Sequence, residues 1–131
     1  IGADQICSLG KKIFDKPKTE YNAIKQLTEL SGKTHKQYTA VCLYHKNKMI
    51  WSKVEISTLR MHKLTTNEIK NYVKHEKPFN SCGSYKLESL GFNLFSKIDG
   101  SDDTIQGLPL LPLLKELKKH GIYSIEKIVS I

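Results

Sequence analysis

The chain has 131 residues, 39% hydrophobic and 26% charged, with 21 Lys+Arg against 13 Asp+Glu for a formal charge of +8. That length and mixture suit one domain with a true core and exclude a collagen-like or disordered chain, and no apolar run approaches the roughly 18 residues needed to cross a bilayer. The positive field attracts anions, whether nucleic acid, a lipid surface or nucleotide phosphates, but Arg60 is the sole arginine, so the guanidinium forks that read guanine edges are missing and nucleic acid is an unlikely partner. The opening Ile1-Gly2-Ala3-Asp4 lacks the basic and apolar regions of a signal peptide, and a cytoplasmic location is expected.

In chain order, residues 1–9 read as a strand, followed by a lysine-rich hairpin or loop through Asp15-Lys16-Pro17. Thr19 is placed to cap a helix whose apolar face is Ala23, Ile24, Leu27 and Leu30, and Gly32 ends it in the left-handed conformation. Gln37 to His45 and Met49 to Leu59 predict two strands joined by a turn at Lys46-Asn47-Lys48. Within the second, Val54 and Ile56 alternate with Lys53, Glu55 and Ser57, which predicts that one face of the strand is wet.

Thr65 and Glu68 form a capping box before Ile69, Tyr72 and Val73, predicting a short helix that stops before Pro78. Asn80 to Gly91 is polar and turn-prone. Phe92 to Ile98 predicts a strand, and Gly107-Leu108-Pro109 opens a helix with Leu110, Leu111, Leu114 and Leu117 inward and Gly121 as its cap. Ile122 to Ile131 could add a last strand. The pattern is a single α/β domain over 1–131, a mixed twisted sheet with flanking helices. It begins without Met, inside an apparent strand, and is expected to be a fragment whose natural start lies upstream.

Cys7, Cys42 and Cys82 are odd in number and far apart, which suits free thiols rather than a disulfide frame or zinc site. The histidines His35, His45, His62, His75 and His120 show no metal-ligand spacing. Asp99, Asp102 and Asp103 lack the spacing of a calcium loop and read as a solvated turn. Asp4 stands out more, because a carboxylate in a strand that otherwise reads as buried needs a partner or a metal; a strand-end hydrogen bond to a turn is the alternative. An extended backbone over Ser84-Tyr85-Lys86-Leu87-Glu88 would put Ser84, Lys86 and Glu88 on one side, lining a polar pocket or facing solvent. No glycine-rich phosphate loop, nucleophile elbow or catalytic triad is present.

The segments Gly2-Ala3-Asp4-Gln5, Lys16-Pro17, Ala23 through Leu30-Ser31-Gly32-Lys33-Thr34-His35, Tyr38-Thr39, Gly83-Ser84-Tyr85-Lys86-Leu87-Glu88, Ile98-Asp99-Gly100 and Gly107-Leu108-Pro109-Leu110 resemble, in order, the Maf-like nucleoside triphosphate pyrophosphatases. The resemblance implies a Maf/ITPase-like fold. It also implies hydrolysis of the bond between the α and β phosphates of a nucleotide, with a divalent cation, Mg²⁺ or Mn²⁺, as cofactor. Asp4 matches the family's catalytic aspartate, activating water as general base or holding the metal. Lys16 matches the family's lysine after that strand and would offset triphosphate charge. Lys86 falls in the same matched segment as Glu88 and joins the candidate substrate-binding residues.

Gln5 and Glu88 point to the branch resembling 7-methyl-GTP pyrophosphatases, since the dTTP/UTP branch carries glutamine where Glu88 stands. The chemistry agrees: a carboxylate accepts the adjacent N1–H and 2-amino donors of guanine, and N7 methylation adds a positive charge. The family's opening segment, with its Ser-x-Ser-x-Arg-Arg pattern of phosphate-binding groups, is absent from these residues. The resemblance therefore implies that the 131 residues alone lack that phosphate clamp and can be inactive, with an exposed strand edge favouring association such as a homodimer. Two other readings remain open: a dTTP/UTP pyrophosphatase of the same family, and a non-catalytic basic module binding nucleic acid or a division-related partner.

Overall fold

The computed structural model describes residues 1–100 and 109–122. Among these residues five strands form one sheet: β1 (Gly2–Leu9), β2 (Lys12–Phe14), β3 (Thr34–His45), β4 (Lys48–Met61) and β5 (Phe95–Asp99), in the order β2-β1-β3-β4-β5. Every pairing among the described residues is antiparallel. Among the described residues three α-helices complete the α/β architecture: α1 (Glu20–Leu30), α2 (Thr66–Glu76) and α3 (Leu110–Lys119). No helix among the described residues is long and apolar enough to cross a membrane.

The helix boundaries follow local chemistry. The Thr19 side chain accepts the Asn22 N–H at the start of α1, and Gly32 adopts φ +70 just past its end. Thr65 and Glu68 make the reciprocal capping box of α2, and Lys77 closes that helix in the left-handed region at φ 48. The β3–β4 hairpin turns at Lys46 and Asn47, at φ 52 and 61. Two successive left-handed residues twist the turn with the strands and so fix their register.

That register decides which side of the sheet is buried, and in β4 the wet face over residues 54–56 is the one that carries Val54 and Ile56. Val54 and Ile56 are 58% and 55% exposed, whereas Ser57 is 1% exposed. Leu59 and Met61, both buried, set the phase, since period-two alternation carries Ser57 to their side and Val54 and Ile56 to the other. The helix-facing side of the sheet thus holds a polar row, Cys7 on β1, Gln37 on β3 and Ser57 on β4, while Ile6, Tyr38 and Ile56 pair across the open side.

Against the helix-facing side, Ala23, Leu27 and Leu30 of α1 and Ile69, Tyr72 and Val73 of α2 pack with Phe14, Leu59, Met61, Tyr85, Leu94 and Phe95. A smaller cluster joins Val41 and Leu43 to Leu113 of α3, with Trp51 and Leu117 against it. The inward stripe of α3 is therefore Pro109, Leu113 and Leu117, spaced by four: of the expected set, Leu117 packs inward and Leu114 is half-buried, while Leu110 and Leu111 are exposed. β3 begins three residues earlier than predicted, β4 runs on to Met61, and β5 starts at Phe95 because Leu90–Leu94 forms a 3₁₀ turn. The predicted last strand from Ile122, apart from Ile122 itself, lies outside the described residues, as do Asp102, Asp103 and Gly107-Leu108.

Candidate active site

Among the described residues, β2 pairs with β1 only over Cys7–Leu9, so there the first half of β1 keeps an open edge. Two loops come together beside it. The first, Asp15 to Thr19, is braced by α1: Gln26 Nε2 donates to the Asp15 carbonyl at 2.9 Å and Asn22 Nδ2 to the Pro17 carbonyl at 3.1 Å. Its far end is tied down by the Lys18 N–H, which donates to the Phe79 carbonyl at 2.8 Å. Pro17 is buried while Lys16 and Lys18 are exposed, so a fixed backbone holds two mobile ammonium groups at the rim.

The second loop is residues 80–88. Cys82–Ser84 forms a 3₁₀ turn with Gly83 at φ 80, where a Cβ would stand 2.9 Å from Cys7 Sγ and 2.9 Å from Tyr85 Cε1. Glycine is required there by both the backbone angle and the contact. Ser84 is buried and donates to Gln26 Oε1 at 2.5 Å. The expected extended face of Ser84, Lys86 and Glu88 therefore does not form, because the turn spends Ser84 on α1. The Lys86 N–H instead donates to Tyr72 Oη at 2.9 Å, and its carbonyl accepts the N–H groups of Ser89 and Gly91.

Between these loops and the β1 edge lies a cleft of about 1090 Å³, at the upper end of the roughly 300–1,000 Å³ typical of small-molecule sites. Asp4, Gln5, Lys16 and Glu88, chosen from three separate stretches of sequence, all line it. Lys86 is not among the lining residues; it is half-buried and serves through its backbone.

Asp4 is exposed, contrary to the expectation of a buried carboxylate. It occupies an even position of β1, on the side away from the helices, where water solvates it. Its Oδ1 accepts the Gln5 backbone N–H at 2.8 Å. Gln5 points to the opposite side, and its Nε2 donates to Gln37 Oε1 at 2.7 Å and to Thr39 Oγ1 at 3.3 Å. Beneath it, Gln37 Nε2 donates to Tyr85 Oη, and Tyr85 Oη lies 2.9 Å from His35 Nε2.

Burial pushes the Cys82 thiol up; the Asp4 carboxylate adds to that rise and the Lys16 ammonium opposes it. Cys7, deeper, is pushed up to about 12, chiefly by burial. Neither thiol is an activated nucleophile, and all three cysteines are free, as the sequence predicts. Among the described residues no group of three or more His, Cys, Asp or Glu is placed to hold a metal ion. Mg²⁺ carried by a polyphosphate needs only one or two protein carboxylates alongside phosphate and water oxygens, a demand that Asp4 at the cleft wall can meet.

The sequence reasoning missed Lys18, Asn80, Ser81, Cys82 and Tyr85, which also line the cleft. Lys18 had a legible cue, a second lysine flanking Pro17. Tyr85 stood within the matched segment Gly83 to Glu88 without being singled out, and Gln37 had no cue, since their proximity to Gln5 arises from strand pairing and the Gly83 turn.

Residues 1–120 match the family model described as Maf-like protein. The chain is 45% identical over 117 residues to a protein of Legionella pneumophila named nucleoside triphosphate pyrophosphatase, covering 89% of this chain and 58% of the relative. It is 42% identical over 125 residues to a 7-methyl-GTP pyrophosphatase of Colwellia psychrerythraea (93% and 62% covered). To a protein of the same name from Brucella abortus it is 44% identical over 122 residues (92% and 61% covered). The chain spans about three-fifths of the length of these curated relatives.

Proposed function

The chain belongs to the Maf-like family, and from that premise we propose that its cleft binds a nucleoside triphosphate, a guanine nucleotide such as 7-methyl-GTP, for hydrolysis to monophosphate and pyrophosphate. The observation that carries this reading is the convergence of Asp4, Gln5, Lys16 and Glu88 on one cleft. Asp4 takes the proton of a water whose oxygen attacks the α-phosphorus; the bond from that phosphorus to the α–β bridging oxygen breaks, and pyrophosphate leaves. Lys16 and Lys18 offset the charge that grows on the leaving group, and as flexible ammonium groups on a pinned loop they can follow it.

Asp4 is also the residue that would hold a divalent cation, Mg²⁺ or Mn²⁺, which when bound screens the polyphosphate charge and polarises phosphoryl oxygens. Glu88 accepts the paired donors of a guanine edge, and its charge favours a base made cationic by N7 methylation. The relatives named 7-methyl-GTP pyrophosphatase support that choice of base.

The test is binding and turnover with 7-methyl-GTP, GTP, UTP and dTTP in the presence of Mg²⁺ or Mn²⁺. Pyrophosphate release with a guanine nucleotide preferred supports the proposal. A preference for UTP or dTTP overturns the base assignment and leaves the reaction class standing. Failure to bind any of the four overturns the whole reading.

A further inference from the structure

The two loops that wall the cleft are joined through one side chain of α1. Gln26 Nε2 donates to the Asp15 carbonyl at 2.9 Å, and Gln26 Oε1 accepts the Ser84 hydroxyl at 2.5 Å. A backbone carbonyl can only accept, so the amide must turn its nitrogen to Asp15; its oxygen is then left for Ser84, whose hydroxyl donates. Ser84 is fully enclosed, at 0% exposure, and follows Gly83 in the left-handed region, at φ 67 after φ 80. A serine is seldom held at that angle, and a buried hydroxyl needs a hydrogen bond, so the Gln26 amide secures the turn at both counts. A second tie, the Lys18 N–H to the Phe79 carbonyl at 2.8 Å, joins the first loop to the entry of the other. One tie alone is a pivot about which two loops can swing. The bridge through Gln26, attached at Asp15 and Ser84, stops that rotation.

We propose that Gln26 is a positioning residue that fixes the span of the cleft, holding the Lys16 loop and the Glu88 loop at the separation that one nucleoside triphosphate bridges, phosphates at the first and base at the second. This rests on the reading of the cleft as a nucleotide site, which both Lys16 and Glu88 line. Each loop keeps its own shape by other means: Asn22 Nδ2 donates to the Pro17 carbonyl at 3.1 Å, and the Lys86 N–H donates to Tyr72 Oη at 2.9 Å. What Gln26 adds is the relation of one loop to the other. A ligand that reaches both ends gains from a fixed span, since binding at one end presents the other at high effective concentration. A ligand that reaches one end gains nothing from it.

The test is titration of the 131-residue chain, followed by ¹⁵N NMR, with Mg-GTP, which spans the cleft, and with guanosine and Mg-pyrophosphate, which each engage one end. Gln26→Met removes both hydrogen bonds with a side chain of similar length and good helix propensity. It should weaken Mg-GTP about tenfold and leave guanosine and Mg-pyrophosphate within about twofold of wild type. Ser84→Ala cuts one side of the bridge and should give the same pattern, and adding it to Gln26→Met should cost nothing further, because the bridge is already gone. Either variant decides alone should the other fail to melt cooperatively. Unchanged Mg-GTP affinity overturns the inference, as does a further loss in the double variant. An equal loss for all three ligands also overturns it, being the mark of a merely structural contact. A wild-type chain that binds Mg-GTP no more tightly than its fragments shows no bridging, which ends the inference and leaves the nucleotide site standing. A wild-type chain that does not bind Mg-GTP removes the nucleotide site itself and the inference with it.

Discussion

Asp4 on β1 and Lys16 beyond β2 act with opposite sign on one thiol, that of Cys82, the carboxylate raising and the ammonium lowering its proton affinity. Twelve positions apart in sequence, they share an electrostatic neighbourhood because the β1–β2 hairpin folds the Lys16 loop back along the open edge of β1. An acid for water and a cation for phosphate on one cleft are the minimum equipment for the proposed chemistry.

Replacing the acid should separate chemistry from folding. Asp4→Asn keeps an oxygen for the Gln5 N–H and sits in solvent, so the thermal midpoint should stay within about 2 °C of wild type. Turnover should fall by about 10²–10⁴, the usual contribution of a positioned general base. Wild-type turnover in this variant would remove Asp4 from the reaction.

At the other end of the cleft, Glu88→Gln replaces an acceptor-only group by one that both donates and accepts. The loss should fall on 7-methyl-GTP most, then GTP, with UTP unchanged or improved, read as KM for each nucleotide. An equal loss for all four would mean that Glu88 does not read the base.

Cys82 offers a probe of occupancy, since it lines the cleft while Cys42 does not. Alkylation of the native chain at pH 8 should modify Cys42 and Cys82 and spare Cys7, whose thiol is buried and pushed up to about 12. Saturating nucleotide should slow labelling of Cys82 several-fold and leave Cys42 unchanged, measured by mass spectrometry of peptides. Equal rates with and without nucleotide would place the ligand elsewhere.

Burial lowers the His35 imidazole from 6.5 to about 4, and its Nδ1 has no hydrogen-bond partner among the described residues. The unfolded chain then binds more protons than the folded one as pH falls below about 6.5, so stability declines through that window and levels off below about 4. The shift corresponds to roughly 3 kcal/mol for a group so fully enclosed. Urea midpoints at pH 7 and pH 4.5 should show the fall, and His35→Gln should flatten it. The same slope in wild type and variant would assign it to other groups.

Local structure was readable wherever a few neighbouring residues suffice to decide it. Thr19 and Thr65 with Glu68 cap their helices, Gly32 stops α1, and the Lys46-Asn47 turn joins β3 to β4, because each depends on hydrogen bonds or backbone angles within a few positions. The family motifs likewise marked Asp4, Gln5, Lys16 and Glu88 before their cleft was known. What the linear order could not decide was which side of a strand is covered. Val54 and Ile56 carry as strong an apolar alternation as Leu59 and Met61, and only the pairing register and the seat of α1 and α2 choose between the two phases. The same choice put Asp4 in water and turned Gln5 inward onto Gln37 and Tyr85, since adjacent residues of a strand point to opposite faces. The link from Gln5 to Tyr85 spans 80 positions and exists only where three segments meet, so it belongs to the tertiary structure alone.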